Sequence, residues 1–565
     1  MAKRFIVVGG VAGGASVAAR IRRIDENAHV QIYDKGHDIS FSNCCLPNYF
    51  SGEVSEIDDL IFYNPYTFKQ TYNLDVKTRC EVVKIIADEH KVIVKDLETG
   101  LEFEDTYDYL VLSPGAKAIK PKTIKGIDSE HVFVLKNVSD VRKLDAHLST
   151  NAVKEAVVIG GGFIGVEIAE CLTRSGRKVT LVEASNQILA PFDYDMVQML
   201  HKELYDSGVS LILEDTVTSI EESKVVLSSG KEIKVQAVIL AIGVTQDEQF
   251  AVESGIKLGE TGAMIVDHNY KTNLPDVYAV GDAIKVTHRL TGKKTKLPLA
   301  GPAQKQARNV ADGLFGKRFS DKGVIGSSCI RVFGLNAAST GLNEKDCKQH
   351  GIDCRVAFVI PNDRVGLMPN ASPMHLKLVY EYPTGKVLGA QGISKGNPVN
   401  HVNVIAAVIS MGGYLEDLKD LELCYAPPFS TAKNAVNFAG IVAMNYLQGD
   451  YEQVPMTCVR ELVEQKAIII DVRGKKAFDD AHIKGAVNIP LDELRERINE
   501  IPRDCPVYIH CRTSWNSYYA IRALKGYGYN NIINIQGSFL GLSYFEYFND
   551  MTTGRESILT NYNFN

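Results

Sequence analysis

Apolar residues in this chain come in short runs that stop at glycine or at an acid. Residues 4–8 form the first run, and Gly9, Gly10, Val11, Ala12, Gly13 and Gly14 follow it. A helical stretch covers 15–24, and a second strand over 30–33 stops at Asp34. The pattern then repeats. Val157, Val158 and Ile159 lead into Gly160, Gly161, Gly162, Phe163, Ile164 and Gly165, and a strand over 178–182 stops at Glu183. Three further runs end in Gly115, Gly243 and the pair Gly281-Asp282. Short apolar runs bounded by glycine predict buried strands of a parallel sheet.

Past residue 330 the pattern changes. A strand-like run over 376–380 alternates with helical stretches over 402–411 and 432–447, which predicts an α+β unit. Gln448, Gly449 and Asp450 close the last helix, and Val454-Pro455 starts a new pattern. There an apolar strand over 467–470 ends in Asp471-Val472-Arg473. His482, Gly485 and Ala486 follow, and a strand over 507–510 runs into Cys511, Arg512, Thr513 and Ser514. A helix follows from Asn516.

Strand, glycine turn, helix and strand closed by an acid make the frame of a dinucleotide site. Glycines let the backbone approach a pyrophosphate, and the helix N-terminus favours its charge. In the first copy the middle glycine is replaced by Val11; the second copy keeps all three. Asp34 and Glu183 stand where an acid binds a ribose hydroxyl. Glu183 repels a 2′-phosphate, which predicts NADH in preference to NADPH. Asp282 can hold the ribityl chain of a flavin. Two such folds in one chain imply one resident cofactor and one diffusing reductant.

Beside the first turn lies Ser40-Phe41-Ser42-Asn43-Cys44-Cys45-Leu46-Pro47. Its position predicts a redox sulfur at Cys44 facing a flavin, with Cys45 read as a small buried apolar residue. Reactivity of such a sulfur requires a low pKa and access.

Length, charge and cysteine usage bound the rest. The chain has 565 residues, enough for three or four domains. Its net charge of −6 leaves no footprint for nucleic acid or acidic lipid. No apolar run approaches the ~20 residues of a membrane span. The start runs at once into Gly9 and Gly10, so it reads as a buried strand rather than a signal peptide. The eleven cysteines show no zinc-ligand spacing, and the expected location is cytoplasmic.

These units and their order resemble the flavin-dependent pyridine nucleotide–disulfide oxidoreductases over nearly all of residues 1–445. The Cys44 segment resembles the single-cysteine branch, which includes NADH oxidase, NADH peroxidase and coenzyme A-disulfide reductase. The stretches around Pro298-Leu299-Ala300 and Tyr425 to Ser430 resemble the last of these. The resemblance implies an α/β protein with an FAD-binding domain over 1–150 and 266–328. An NAD-binding domain spans 151–265, and an α+β dimerisation domain spans 329–447. It implies FAD, NADH and coenzyme A as ligands, and a homodimer. Its cofactor residues map to Gly9, Gly10, Ala12, Gly13, Gly14, Asp34, Lys35, Val82, Pro114 and Gly115. They continue with Gly160, Gly162, Phe163, Ile164, Gly165, Glu183, Gly243, Gly281, Asp282, Pro298, Leu299 and Ala300.

For coenzyme A the resemblance implies Ser16, Arg20, Arg23, Ser40 and Asn43, with Lys433 from the partner subunit. Guanidinium forks suit nucleotide phosphates. The alternative for a helix-end arginine is a solvated charge near the negative helix end. Tyr425 resembles a tyrosine that donates a proton to a leaving thiolate; the alternative is an interface tyrosine. A second family tyrosine is missing, its place being taken by Leu367-Met368-Pro369-Asn370.

Residues 455–550 resemble a rhodanese-like α/β domain, with Cys511 over loop N–H groups at a helix start, which favours a thiolate able to carry a persulfide. Rhodanese loops usually place an arginine at the position of Asn516. Trp515 either walls this pocket or packs. Together the features predict NADH-dependent reduction of coenzyme A disulfide, coenzyme A persulfide or polysulfide. The alternatives are an NADH oxidase or peroxidase with a Cys44 sulfenic acid, and a non-catalytic tail.

Overall fold

A computed structural model describes residues 2–246, 248–260 and 262–564. Contacts divide the chain into two compact units. One holds residues up to 186 with 212–324, and the other 187–211 with 325 onward.

In the first unit, Arg4–Val8 lies between His29–Tyr33 and Tyr109–Leu112, with Asp75–Lys77 and Val277–Ala279 at the edges, all parallel. A first strand flanked on both sides by later parallel strands marks the switch point, where a crevice opens at the carboxyl end. Glu155–Ile159 repeats this between Lys178–Val182 and Ala237–Leu240. The strand Val132–Val134 joins that second sheet by pairing with residues 238–240, although it precedes the stretch expected to build it. Two antiparallel sheets that the sequence pattern did not suggest accompany these. They are Cys80–Ile86 with Lys91–Asp96 and Glu102–Thr106, and Val217–Ile220 with Lys224–Leu227 and Glu232–Lys234. Their strands alternate buried with solvated positions, which blurs the apolar runs.

The helix after the first turn spans Ala12–Ile24, three residues more than the sequence suggests. Gly13 and Gly14 are poor helix formers, but closeness of packing overrides propensity there. A Cβ on Gly14 would lie 1.8 Å from the Gly9 carbonyl oxygen, and one on Gly165 1.9 Å from that of Gly160. Helix Ala300–Leu314 packs against Ala12–Ile24.

In the second unit an antiparallel sheet runs Ser328–Val332, Leu335–Gly341, Val387–Ser394, Met374–Glu381, Cys354–Val359. Helix Pro398–Met411 starts at a proline in its first position, with Asn397 as cap, four residues before the expected start. Helix Ala435–Leu447 is capped by Asn434. A parallel sheet follows, in the order Glu452–Val454, Ile532–Ile535, Val507–His510, Ile468–Asp471, Val487–Asn488. Helices Trp515–Gly526 and Ser538–Thr553 accompany it, and Tyr194–Asp206 packs on the latter. The fully buried Lys377 ammonium is met by Asp193 at 3.1 Å, by Asp195 at 2.8 Å, and by Glu344. The three carboxylates meet the requirement that a buried charge be paired. No helix among the described residues is long and apolar enough to cross a membrane.

Candidate active site

The two glycine turns are braced in the same way. Asp34 accepts from the N–H of Gly10 at 2.6 Å and of Gly36 at 2.7 Å. Glu183 accepts from Gly161 at 2.6 Å and from Ser185 at 2.8 Å. Each acid therefore fixes the turn it faces and keeps further lone pairs for a ligand hydroxyl. Burial pushes the Asp34 carboxyl up, against the Gly10 and Gly36 amides that hold it down. Gly162 caps the second helix, and a Cβ there would meet nothing within 4 Å. The space over this glycine suits the approach of a pyrophosphate, and at the same place in the first copy Val11 is accommodated.

A cavity of about 60 Å³ lies at the first turn, lined by Gly9, Asp34, Lys35, Val82 and Pro114 together with Cys80. Five residues expected to touch the resident cofactor thus converge on one hollow at the carboxyl end of the central strand. Gly281-Asp282 begins a short turn. Gln306 accepts from the Gly281 N–H at 2.7 Å, Gln246 donates to the Asp282 carbonyl at 3.0 Å, and Lys296 donates to Gln246 at 2.7 Å. The sequence reading missed these three polar side chains because they lie outside any glycine motif.

Cys44 is exposed, on a 3-10 turn spanning Asn43–Cys45. Enough protein surrounds the thiol that partial desolvation raises its pKa; Glu167 and Cys45 push the same way, and Lys136 opposes them. That direction is opposite to the one reactivity of this sulfur requires. The surrounding carboxylates outweigh the one cation, so stabilisation of a thiolate has to come from what binds beside it. Lys136 also lies 3.6 Å from Asp282. Glu167 lies in the helix behind the second glycine turn, past its first turn, and Lys136 follows the strand Val132–Val134. Neither was singled out as a site residue. The signal for Glu167 was its place two residues past Gly165.

The expected coenzyme A residues divide. The Arg20 guanidinium donates from Nε to Asp312 at 2.7 Å, with side-chain exposures of 18% and 11%. Arg22, which lies between the two expected arginines and is not one of the coenzyme A residues, is buried and donates to backbone carbonyls, including that of Asn73 at 2.9 Å. Arg23 is exposed. In the second unit Tyr425 is half exposed, and Lys433 lies 5.6 Å over the Trp515 ring. Trp515 also packs on Phe438, with the rings tilted and their centroids 5.0 Å apart. A cavity of about 120 Å³ opens there, lined by Lys433, Phe438, Asn445, Trp515, Tyr518 and Asn534. Trp515 therefore both packs and walls a pocket.

Cys511 follows the strand Val507–His510 and is buried, at 3% exposure. Its N–H donates to Ser538 Oγ at 3.3 Å. Its carbonyl accepts from Phe539, and that of Arg512 from Leu540. Asp471 and Arg473 pair through the guanidinium, which also donates to the Ala481 carbonyl at 2.7 Å and lies 4.1 Å over the Phe539 ring. The loop is thus held from two sides, and Asn516 points into solvent from its rim. The following helix starts at Trp515, one residue before the expected start.

The sequence profile described as pyridine nucleotide-disulphide oxidoreductase matches residues 3–307. Its dimerisation-domain profile matches 328–436, and the rhodanese-like domain profile 456–543. The chain is 30% identical over 441 residues to a Staphylococcus epidermidis protein named coenzyme A disulfide reductase, across 78% of this chain and 99% of that one. The crystal structure of reduced Bacillus anthracis CoADR-RHD is similar at a TM-score of 0.93 and 40% identity, across 96% of this chain and 98% of that one. A NAD-dependent persulfide reductase from A. fulgidus is similar at 0.90 and 33%, across 96% and 99%.

Proposed function

The chain belongs to the pyridine nucleotide-disulphide oxidoreductases, and from that premise we propose that it spends NADH on sulfur–sulfur bonds at Cys44. The substrates are coenzyme A disulfide, coenzyme A persulfide or polysulfide, and the Cys511 domain handles sulfane sulfur. One observation carries the reading. Groups from three separate segments, Glu167, Lys136 and Asp282, face the exposed Cys44 sulfur. Two of those segments are the ones that would hold NADH and FAD. The names of the similar proteins, coenzyme A disulfide reductase and persulfide reductase, support the substrate class.

FAD, when bound, supplies two-electron transfer between reduced nicotinamide and sulfur. Gly9, Asp34, Lys35, Val82 and Pro114 would hold its adenosine end, and Gly281-Asp282 its ribityl chain. The Gly160–Gly165 turn and Glu183 would hold NADH. Cys44, as thiolate, attacks one sulfur of the disulfide. A Cys44–sulfur bond forms, the substrate sulfur–sulfur bond breaks, and one thiolate leaves. Two electrons and a proton then return Cys44 to thiolate and free the second thiol. Over the cycle NADH, one proton and one disulfide give NAD⁺ and two thiols. Lys136 is the cation placed to favour the attacking anion. Arg20, Arg23, Ser16, Ser40 and Asn43 are assigned to the coenzyme A moiety.

A homodimer in the cytoplasm completes the proposal. Leu367, Met411 and Phe429 each expose at least four-fifths of an apolar side chain in or beside the segment that matches the dimerisation profile, as an unassembled interface would. Tyr425 and Lys433 would act from that segment. Cys511 would take the outer sulfur of a persulfide and release the parent thiol.

The test uses the purified, FAD-loaded chain. NADH oxidation is followed with coenzyme A disulfide, coenzyme A persulfide, polysulfide, oxygen and peroxide. The expected result is turnover on the sulfur substrates that is lost in Cys44→Ser, with sulfide release from the persulfide. Rapid oxidation by oxygen or peroxide alone, with none on sulfur, would make the chain an oxidase or peroxidase instead. Cys511→Ser turning over persulfide at the wild-type rate would leave the tail a non-catalytic module.

A further inference from the structure

The Cys511 sulfur lies 3.8 Å from the hydroxyl of Ser517, the third residue of helix Trp515–Gly526. Ser517 donates in turn to Asn534 Oδ1 at 2.8 Å, across to the neighbouring strand Ile532–Ile535. All three are buried, with Ser517 at 0% and Asn534 at 5% exposure. Among the described residues this is the one side-chain hydrogen bond of Asn534, so its amide N–H₂ is uncommitted. Asn534 also lines the cavity beside Trp515.

The direction of these bonds suits a neutral thiol. The S–H donates to the hydroxyl, the hydroxyl donates to the amide oxygen, and the chain ends on an acceptor. A sulfur anion needs the opposite. The Ser517 hydroxyl must then turn its single proton to sulfur, which strands the Asn534 oxygen. Half a turn of the Asn534 amide resolves this. It brings N–H₂ to the Ser517 oxygen and exchanges two atoms of similar size, so no repacking is needed. We propose that Ser517 and Asn534 are positioning residues for the Cys511 sulfur, a hydrogen-bond relay that reverses polarity when that sulfur becomes a thiolate or persulfide. What the sulfur carries rests on the function proposed above; the thiol-to-thiolate behaviour does not.

The charged and titratable groups around the loop come from every packed element. They are Arg512 within it, His510 before it, Asp471 and Arg473 beside it, His482, and Tyr544 on helix Ser538–Thr553. None of them shares a side-chain hydrogen bond with the sulfur, whose partner among the described residues is Ser517.

The experiment measures alkylation of Cys511 by iodoacetamide against pH in the full chain, read by peptide mass spectrometry, with Cys44 in the same sample as internal standard. In Ser517→Ala the half-maximal pH is expected to rise by about one unit, which slows alkylation at neutral pH about tenfold. The two Asn534 variants are expected to move in opposite directions. Asn534→Asp cannot donate and keeps the hydroxyl proton to itself, so the midpoint rises. Asn534→Leu releases the hydroxyl to the sulfur, so the midpoint falls. The Ser517→Ala/Asn534→Asp double variant is expected to shift no further than Ser517→Ala. If the alanine variant does not fold, the opposite signs at Asn534 carry the test. Superimposable wild-type and Ser517→Ala profiles would overturn the proposal. So would Asn534→Asp and Asn534→Leu shifting the same way, or an aspartate effect that persists undiminished without the Ser517 hydroxyl.

Discussion

The carboxylate of Glu183 and the amide of Gly161 are hydrogen-bonded at 2.6 Å across the mouth of the second glycine turn. The acid that closes the second strand of this copy therefore also shapes the turn in which a pyrophosphate would sit. Glu183→Ala removes both the brace and the charge that repels a 2′-phosphate. The KM for NADH is expected to rise about tenfold, the worth of a charge-assisted hydrogen bond. The penalty on NADPH should shrink at the same time. Steady-state kinetics with both nucleotides checks this, and unchanged constants would remove Glu183 from the site.

Gly162 and Gly165 lie three residues apart, yet their substitution should fail for different reasons. A Cβ on Gly162 meets open space, so Gly162→Ala is expected to fold with an unchanged melting temperature and a KM for NADH raised tenfold or more, roughly the cost of blocking one phosphate-to-amide contact. A Cβ on Gly165 would lie 1.9 Å from the Gly160 carbonyl oxygen, so Gly165→Ala must spread helix from strand. A loss of about 1–3 kcal/mol in stability is expected from such overpacking. Thermal melting beside nucleotide titration separates the two.

Parts of this organisation are legible in the sequence, because a glycine turn between strand and helix is written in consecutive residues. The strands at 4–8, 178–182 and 507–510 stand where their apolar runs place them. What escapes is set by distant partners. Lys136 lies just past a strand that joins the second sheet from outside the expected domain, and it meets Asp282, far along the chain. Lys377 reads as an exposed lysine in an alternating strand, until Asp193 and Asp195, nearly two hundred residues away, enclose it. Helix starts are lost wherever packing overrules propensity, as at Gly13 and Gly14. The Asp-Val-Arg signature at 471–473 marked a domain. That its arginine braces the Ala481 carbonyl needed coordinates.

Arg20 and Arg23, matched together to the coenzyme A site, should separate on substitution. Arg20 is committed to Asp312, and Arg20→Ala leaves that carboxylate partly buried and without its closest partner. About 1–3 kcal/mol of stability is expected to be lost with it. Arg23 is exposed, so Arg23→Ala should leave the melting temperature unchanged and raise the KM for coenzyme A disulfide severalfold. A stable Arg20→Ala protein with a selectively raised KM would show that Arg20 releases Asp312 to reach substrate.

Two histidines of the second unit make its stability depend on pH. Burial holds His201 and His375 down to about 3. His201 accepts the Ile188 N–H on Nε2, which a proton there would break, and His375 stands edge-on between Phe358 and Tyr544. Both folded values lie below the unfolded value of about 6.5, so the neutral form is favoured by folding. That stability is present above pH 6.5 and is lost as pH falls toward 3. The slope is about 1.4 kcal/mol per pH unit for each residue, or about 2 kcal/mol per histidine at pH 5. Urea unfolding at pH 7 and pH 5 reads the loss. His375→Phe should remove about half of it.

Lys136 and Glu167 act on the Cys44 thiol with opposite signs. Lys136→Met removes the cation that favours the thiolate, so the pH at which iodoacetamide captures Cys44 half-maximally should rise. Glu167→Gln removes the carboxylate that resists ionisation, so that pH should fall. Shifts of about half a unit to one unit are expected for charges acting across a partly solvated gap. Lys136 also lies 3.6 Å from Asp282, so its loss should weaken FAD retention, read by flavin absorbance after dialysis. Glu167→Gln should not. If both variants moved the Cys44 midpoint in the same direction, the two residues would be acting through local structure rather than charge.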